Sequence, residues 1–163
     1  KTLCCVIFFI FCEDFSFYWV HRLMHTPLLY RLIHKTHHEI YNVVYLSYAH
    51  SHWIENILAN FLPSYLGALI LGDSVHLATF AVWTSFRLFE TSQNHSGYEF
   101  PWDFFQVIPY ASDSSYHNYH HLLNIGNYGS FSVIWDTIFR TNRDYFAKDV
   151  LDRSEDKAKI KQD

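Results

Sequence analysis

Apolar positions in this chain gather into three long blocks rather than alternating with polar ones. Residues 3–20 are rich in Phe and Ile, broken by Glu13-Asp14. Residues 53–71 and 75–93 form two further blocks, separated by Gly72-Asp73-Ser74. The pattern predicts a first helix running through His25 and ended by Thr26-Pro27, because proline disfavours helix in the residue before it. A second helix is expected over 28–39, followed by irregular chain over 41–49. The next two blocks read as a membrane hairpin with a kink at Pro63, each arm slightly short for a perpendicular span. Phe100-Pro101-Trp102-Asp103-Phe104-Phe105 reads as an interfacial aromatic anchor. A short helix follows over 116–123, then a turn at Gly126-Asn127-Tyr128-Gly129 and an amphipathic segment over 130–139. The expected fold is all-α: an integral-membrane helical bundle with a membrane hairpin and a His-rich helical cap.

Composition agrees with a membrane protein. Half of the residues are hydrophobic, a fifth are aromatic and only 17% are charged, against roughly 25% in soluble domains. The net charge of −4 comes with no basic patch, so nucleic acid is not an expected partner. Cys4, Cys5 and Cys12 show no zinc or disulfide spacing and read as packing residues. The chain opens at Lys1 and enters an apolar run at once, so an N-terminal part is expected upstream. Residues 1–147 read as one domain and 148–163 as a charged tail. That tail ends in Lys159-Ile160-Lys161-Gln162-Asp163, similar to a dilysine retrieval signal.

Histidine carries the chemistry. Eight of the twelve histidines fall in three clusters: His21 and His25; His34, His37 and His38; His117, His120 and His121. Imidazoles at i, i+3 and i+4 share one side of a helix and can aim at one point. Packed so densely, they would repel one another if charged, or lack partners if neutral, unless metal held them. The clusters supply enough ligands for two ions, and imidazole suits iron, zinc or copper. Asp14 lies on the same helical stripe as His21 and His25 and is a candidate acceptor for a ligand N–H. His76, near the start of the third block, reads as a remote turn residue.

These motifs resemble the fatty acid hydroxylase superfamily of integral-membrane di-iron oxygenases, and within it the C-4 methylsterol monooxygenases. The likeness runs from about Glu13 to Thr141. Besides the three clusters it includes Arg87-Leu88-Phe89-Glu90-Thr91, His95-Ser96-Gly97-Tyr98, Gly126-Asn127-Tyr128-Gly129 and Trp135-Asp136 with Phe139. The resemblance implies metal ligands at His21, His25, His34, His37, His38, His95, His117, His120 and His121. It further implies a His followed three residues later by Glu. His52-Trp53-Ile54-Glu55 has that spacing, so His52 is expected to ligate, with His50 competing for the role. Glu55, Glu90 and Asn118 are then expected to support the ligands. Asn118 stands where the family often has Asp, and Arg140 where it usually has Gly.

The resemblance also implies an activity: hydroxylation of an unactivated C–H bond by O2, here a C-4 methyl of a sterol. It implies two iron ions, with zinc as a substitute, and electrons from cytochrome b5 fed by an NAD(P)H reductase. The implied location is the endoplasmic reticulum with the histidines on the cytosolic side, a mitochondrial or other membrane being the alternative. A runner-up is another sterol or fatty acyl hydroxylase or desaturase of the same superfamily. A reading of a different class is a catalytically silent relative serving as a structural subunit in a membrane complex. A zinc hydrolase is disfavoured, since no His-Glu-x-x-His motif is present.

Overall fold

The computed structural model describes residues 1–41 and 43–147, and the expected charged tail lies outside them. Helix α1 (Thr2–Met24) is apolar outside and polar inside. Leu3, Ile7, Phe11, Phe15, Trp19 and Leu23 recur every fourth residue and are all exposed. Glu13, Asp14 and His21 are buried on the opposite side. Such a helix is at home where the surrounding solvent is hydrocarbon. At 23 residues it is ~34 Å long, enough for a hydrocarbon core of ~30 Å. The stretch Trp53–Ser74 is the second helical stretch long and apolar enough to cross a membrane.

The expected second helix is shorter than its pattern. α2 covers Pro27–Leu32, and at Ile33 the backbone leaves the helix (φ −129°, ψ −61°). His34–Glu39 then winds as a 3₁₀ helix. A helical hairpin is present, but of its two arms only the first is long and apolar enough to cross a membrane. Its first arm comprises α3 (Trp53–Glu55), a π-helical turn (Asn56–Phe61) and α4 (Leu62–Leu71). Its second arm is α5 (Leu77–Asn94). Pro63 produces a widened turn ahead of it rather than a kink after it. The proline has no N–H to close an ordinary turn, and its ring crowds the carbonyl four residues back. Short helices α6 (Ser114–Leu123) and α7 (Ile134–Phe139) complete the cap. Only the second half of the segment expected over 130–139 is helical. Among the described residues there is no strand, only a single bridge between Ala111 and Ser132.

α1 and α5 run parallel. Thr2 and Thr79 hydroxyls meet at 3.2 Å near their starts, and Arg87 reaches Glu13 further along. α4 returns between them, so close to α1 that a Cβ on Gly67 would stand 2.6 Å from Phe9 Cδ1. Trp83 is fully buried, packs on Phe9 and Phe131, and donates from Nε1 to the Ser64 carbonyl at 2.7 Å. Arg87 holds two buried carboxylates, Glu13 at 2.8 Å and Glu90 at 2.6 Å. Replacing one member of such a network with a neutral residue leaves an uncompensated charge in the interior, which is far costlier than the net worth of the pair. These bonds set the parallel helices in register, so both deliver their C-terminal ends to the same side.

Arg140 ends α7 with φ +59°, the left-handed region that glycine occupies without strain. The departure from the usual Gly at this place therefore has a conformational cost. Arg140→Gly is expected to stabilise the protein by ~1 kcal/mol, read as a rise in thermal midpoint in detergent. An unchanged midpoint would contradict it.

Candidate metal centre

The helix ends meet in a buried cluster of nine imidazoles. Their nitrogens fall into two groups, His21, His25, His34, His38 and His120 in one, and His37, His95, His117 and His121 in the other. Within each group the potential ligand atoms lie within 4.8 Å of one another. His34 and His38 enter the first group while His37 enters the second. His117 and His121, at i and i+4, enter the second group while His120 enters the first. On the α-helix that carries the latter, positions i+3 and i+4 diverge by ~100°, so one H-x-x-H-H motif serves two points.

The Nε2 atoms converge closely. His34 Nε2 lies 2.9 Å from that of His25 and 3.0 Å from that of His38. His117 Nε2 lies 2.9 Å from that of His95 and 3.2 Å from that of His121. The opposite ring nitrogens exclude a hydrogen bond between His25 and His34, and between His25 and His120, whose Nε2 atoms lie 3.1 Å apart. Nδ1 of His21, His25, His37, His95 and His120 meets the carbonyl oxygens of Tyr128, Asn124, His50, Thr91 and Gly126, and can only donate there. His34 Nδ1 meets Glu55 Oε1 at 2.7 Å. With the proton on Nδ1, each Nε2 presents a lone pair. Nitrogens bound ~2.1 Å from one ion stand ~3.0 Å apart at a right angle and ~3.4 Å apart at the tetrahedral angle. The observed spacings match that geometry, and the donor set is that of an imidazole-bound transition metal.

The backbone field agrees. His25 caps the C-terminus of α1, His95 caps that of α5, and His120 and His121 lie in the last turn of α6. Three helices turn their negative ends toward the groups, which favours a cation. Burial pushes the imidazoles away from protonation, to about 4 at His25 and His37 and about 3 at His95. Neighbouring histidines add to the effect at His38, lowered to about 2.

The loop after α6 orients the first group. Asn124, in the left-handed conformation, and then Gly126 and Tyr128 present carbonyls at every second residue, to His25, His120 and His21. Gly126 has φ +72°, and a Cβ there would collide with the Thr141 carbonyl. Asp136 fixes the loop. It is fully buried and accepts from Tyr128 N at 2.9 Å, Gly129 N at 2.6 Å and the Thr141 hydroxyl at 2.5 Å.

Several expected supports sit elsewhere. Asp14 does not reach a histidine. It accepts from Ser132 N at 2.9 Å and Ser132 Oγ at 2.6 Å, because carbonyls already occupy the imidazole donors beside it. Glu90 binds Arg87 and Asn94 rather than a histidine. Asn118 touches no histidine, and its buried Oδ1 has no partner among the described residues. Of the four, Glu55 alone bonds a histidine, His34. His52 joins neither group: its Nδ1 accepts from Ile54 N at 3.2 Å and caps α3. His50 bonds Glu39 with its exposed ring, and contributes its backbone carbonyl to His37. His76 caps the start of α5, at the end away from the groups, as expected. The carbonyl loop and Asp136 went unrecognised as supports. Their signal was the run of residues tolerant of positive φ, Asn124, Gly126 and Asn127.

Two cavities adjoin the groups. A small one of about 20 Å³ is lined by imidazoles of both groups together with Phe17, Glu55 and Ala59. It has room for one water-sized molecule. A larger one of about 360 Å³ lies between the hairpin arms, against Phe61, Tyr65, Trp83 and Leu88. Tyr48, Asn60 and Thr91 line both.

Fold and site together define a helical protein with two His-rich groups that could hold metal at one end of a membrane-type bundle. Residues 6–141 match the sequence profile described as fatty acid hydroxylase. The chain belongs to the fatty acid hydroxylase family. It is 36% identical over 143 residues to methylsterol monooxygenase 1-3 of Arabidopsis thaliana, covering 86% of this chain and 48% of that protein. It is 37% identical over 153 residues to very-long-chain aldehyde decarbonylase GL1-8 of Oryza sativa subsp. indica, covering 92% of this chain and 56% of that protein. The chain thus spans about half the length of the curated relatives it matches. No solved structure matches it.

Two predictions follow from the geometry. Unfolded imidazoles take up protons below about pH 6.5, whereas those of His25 and His37 hold out to about 4. The unfolded state then binds more protons, so stability falls as the pH falls. Metal-free protein should lose up to ~1.4 kcal/mol per pH unit for each such histidine, checked by chemical denaturation between about pH 6.5 and 4. Asp136→Ala strands three buried donors at ~1–3 kcal/mol each and frees the carbonyl loop. Metal content measured by mass spectrometry should drop below wild type while helix content by circular dichroism is retained. Full metal content in this variant would contradict the role given to the loop.

Proposed function

We propose that the chain forms the dimetal centre of a membrane-bound, O2-dependent oxygenase that acts on a lipid, with iron as the metal and a sterol C-4 methyl group as the position oxidised. The observation that carries this reading is the larger cavity. Half of its twelve lining residues are apolar or aromatic, its volume falls within the ~300–1,000 Å³ of small-molecule sites, and it shares Tyr48, Asn60 and Thr91 with the small cavity among the histidines. The relatives named as methylsterol monooxygenases favour the sterol.

The two groups would hold two ions, the first through His21, His25, His34, His38 and His120, the second through His37, His95, His117 and His121. Bound iron would pass externally supplied electrons to O2 and provide the oxidising power needed to attack an unactivated C–H bond. The protein's own part is positional. Carbonyls and Glu55 keep each imidazole they hold protonated at Nδ1, so that Nε2 faces inward as a neutral donor and the centre stays cationic. The small cavity admits one diatomic molecule and excludes bulk water. The larger cavity brings the lipid in from between α4 and α5. Electrons come from a separate donor such as cytochrome b5 with its NAD(P)H reductase, in the endoplasmic reticulum membrane.

Similarity to very-long-chain aldehyde decarbonylases favours a second reading, a long-chain aldehyde substrate on the same centre. One experiment separates them. The full chain, purified from its native membrane, is analysed for metal and then supplied with O2, reduced cytochrome b5 and either a 4-methylsterol or a long-chain aldehyde. The expected result is two irons per chain and oxidation at the sterol methyl, lost in His34→Ala and His117→Ala. Turnover of the aldehyde alone would replace the sterol. A protein that carries no metal would be a structural subunit.

A further inference from the structure

The junction of the two cavities holds polar groups that the fold does not use. Thr91 is the clearest. Thr84 and Ser92, on the same helix, donate their hydroxyls back to the Phe80 and Leu88 carbonyls at 3.0 and 2.8 Å. That is the ordinary way a hydroxyl is satisfied within a helix. The Thr91 hydroxyl makes no such bond, although its carbonyl binds His95. Asn60 donates from Nδ2 to Asn56 Oδ1 at 3.0 Å, which fixes its amide and leaves Oδ1 as an acceptor without a protein partner. The Tyr48 hydroxyl likewise has no protein hydrogen bond, while its ring lies against that of His95 at 6.3 Å between centroids. These three side chains, and no others, line both cavities.

The π-helical turn over Asn56–Phe61 is what brings Asn60 here, one turn beyond Glu55, which holds His34. Such turns recur at functional sites because they shift side chains out of helical register. Charge narrows the ligand. Among the described residues the one cation lining the larger cavity is Arg87, already bound to two carboxylates. No free positive charge is left there for an anionic head.

We infer that Tyr48, Asn60 and Thr91 form a polar throat that receives an uncharged oxygen function of the substrate, a hydroxyl or carbonyl carried close to the carbon to be oxidised. The throat selects neutral oxygenated lipids over hydrocarbons and over free fatty acids. This rests on the larger cavity being the substrate cavity, and it deepens that reading. Three groups that lose water on binding and find no partner in a hydrocarbon ligand cost affinity, which is how a site built for a hydroxyl rejects its deoxy analogue.

The test is equilibrium binding of radiolabelled lipids to the full chain in lipid nanodiscs, which needs no turnover. Two sets are compared: a 4-methylsterol against its 3-deoxy analogue, and a long-chain primary alcohol against the alkane and the fatty acid of equal length. Wild type should bind the neutral oxygenated member at least ~10-fold more tightly in one set or both. In Asn60→Leu/Thr91→Val the difference should shrink to about twofold, with affinity for the deoxy member or alkane unchanged. That unchanged affinity shows an intact cavity, and Thr91→Ser should keep the wild-type preference. Preference in the alcohol set alone, with no sterol bound, would overturn the sterol reading and leave the throat standing. Equal binding within both sets, tighter binding of the fatty acid, no binding in either set, or a preference that survives the double variant would overturn the throat.

Discussion

Nine imidazole rings turned toward one buried place are the constraint on which the rest of this structure depends. Six of them present Nε2 as a lone pair, because five backbone carbonyls and Glu55 take their Nδ1 protons. Protonating the inward nitrogens instead would put several positive charges within 4.8 Å of one another in a buried site. The centre is suited to cations, and the surrounding fold is arranged to accept them. Three helix C-termini face it, and the carbonyl loop after α6 closes over it. The buried Arg87 network lies between α1 and α5, where it keeps their histidine-bearing ends level.

The membrane-type bundle serves the same end. α1 cannot bury Glu13, Asp14 and His21 and also hide its apolar residues, so its apolar residues face outward. In water this would leave a large exposed apolar surface, whereas in hydrocarbon it costs little. The helix thus brings polar chemistry to the base of the bundle without a second apolar layer around it. α4 completes the arrangement by standing off α5 far enough to leave the larger cavity.

Much of this was legible in the sequence, and what was not has a physical reason. The histidine spacings marked the site and the apolar blocks marked α1 and the hairpin, since both signals are local and periodic. Pro27 marked the end of α1 for the same reason. The supports of the ligands were harder to see. Carboxylates such as Asp14 and Glu90 are conspicuous in a sequence and drew the expectation, but main-chain carbonyls carry no residue identity. The 3₁₀ geometry of His34–Glu39 was hidden because helical and 3₁₀ spacing share the i, i+3 relation. His52 and His50 could not be separated by spacing, and neither ring enters the cluster. The resemblance drawn from the motifs pointed to the family that the full comparison then showed.

The crossing of the two H-x-x-H-H motifs has a further consequence, for the order in which the centre fills. Each motif sends two rings to one group and one to the other, so neither group can be arranged independently. An ion seated by His34, His38 and His120 also immobilises the backbone that carries His37, His117 and His121. The ordering cost of the second set is then largely met before its ion arrives. Loading of the two groups would then be cooperative, with empty and fully loaded chains favoured over singly loaded ones.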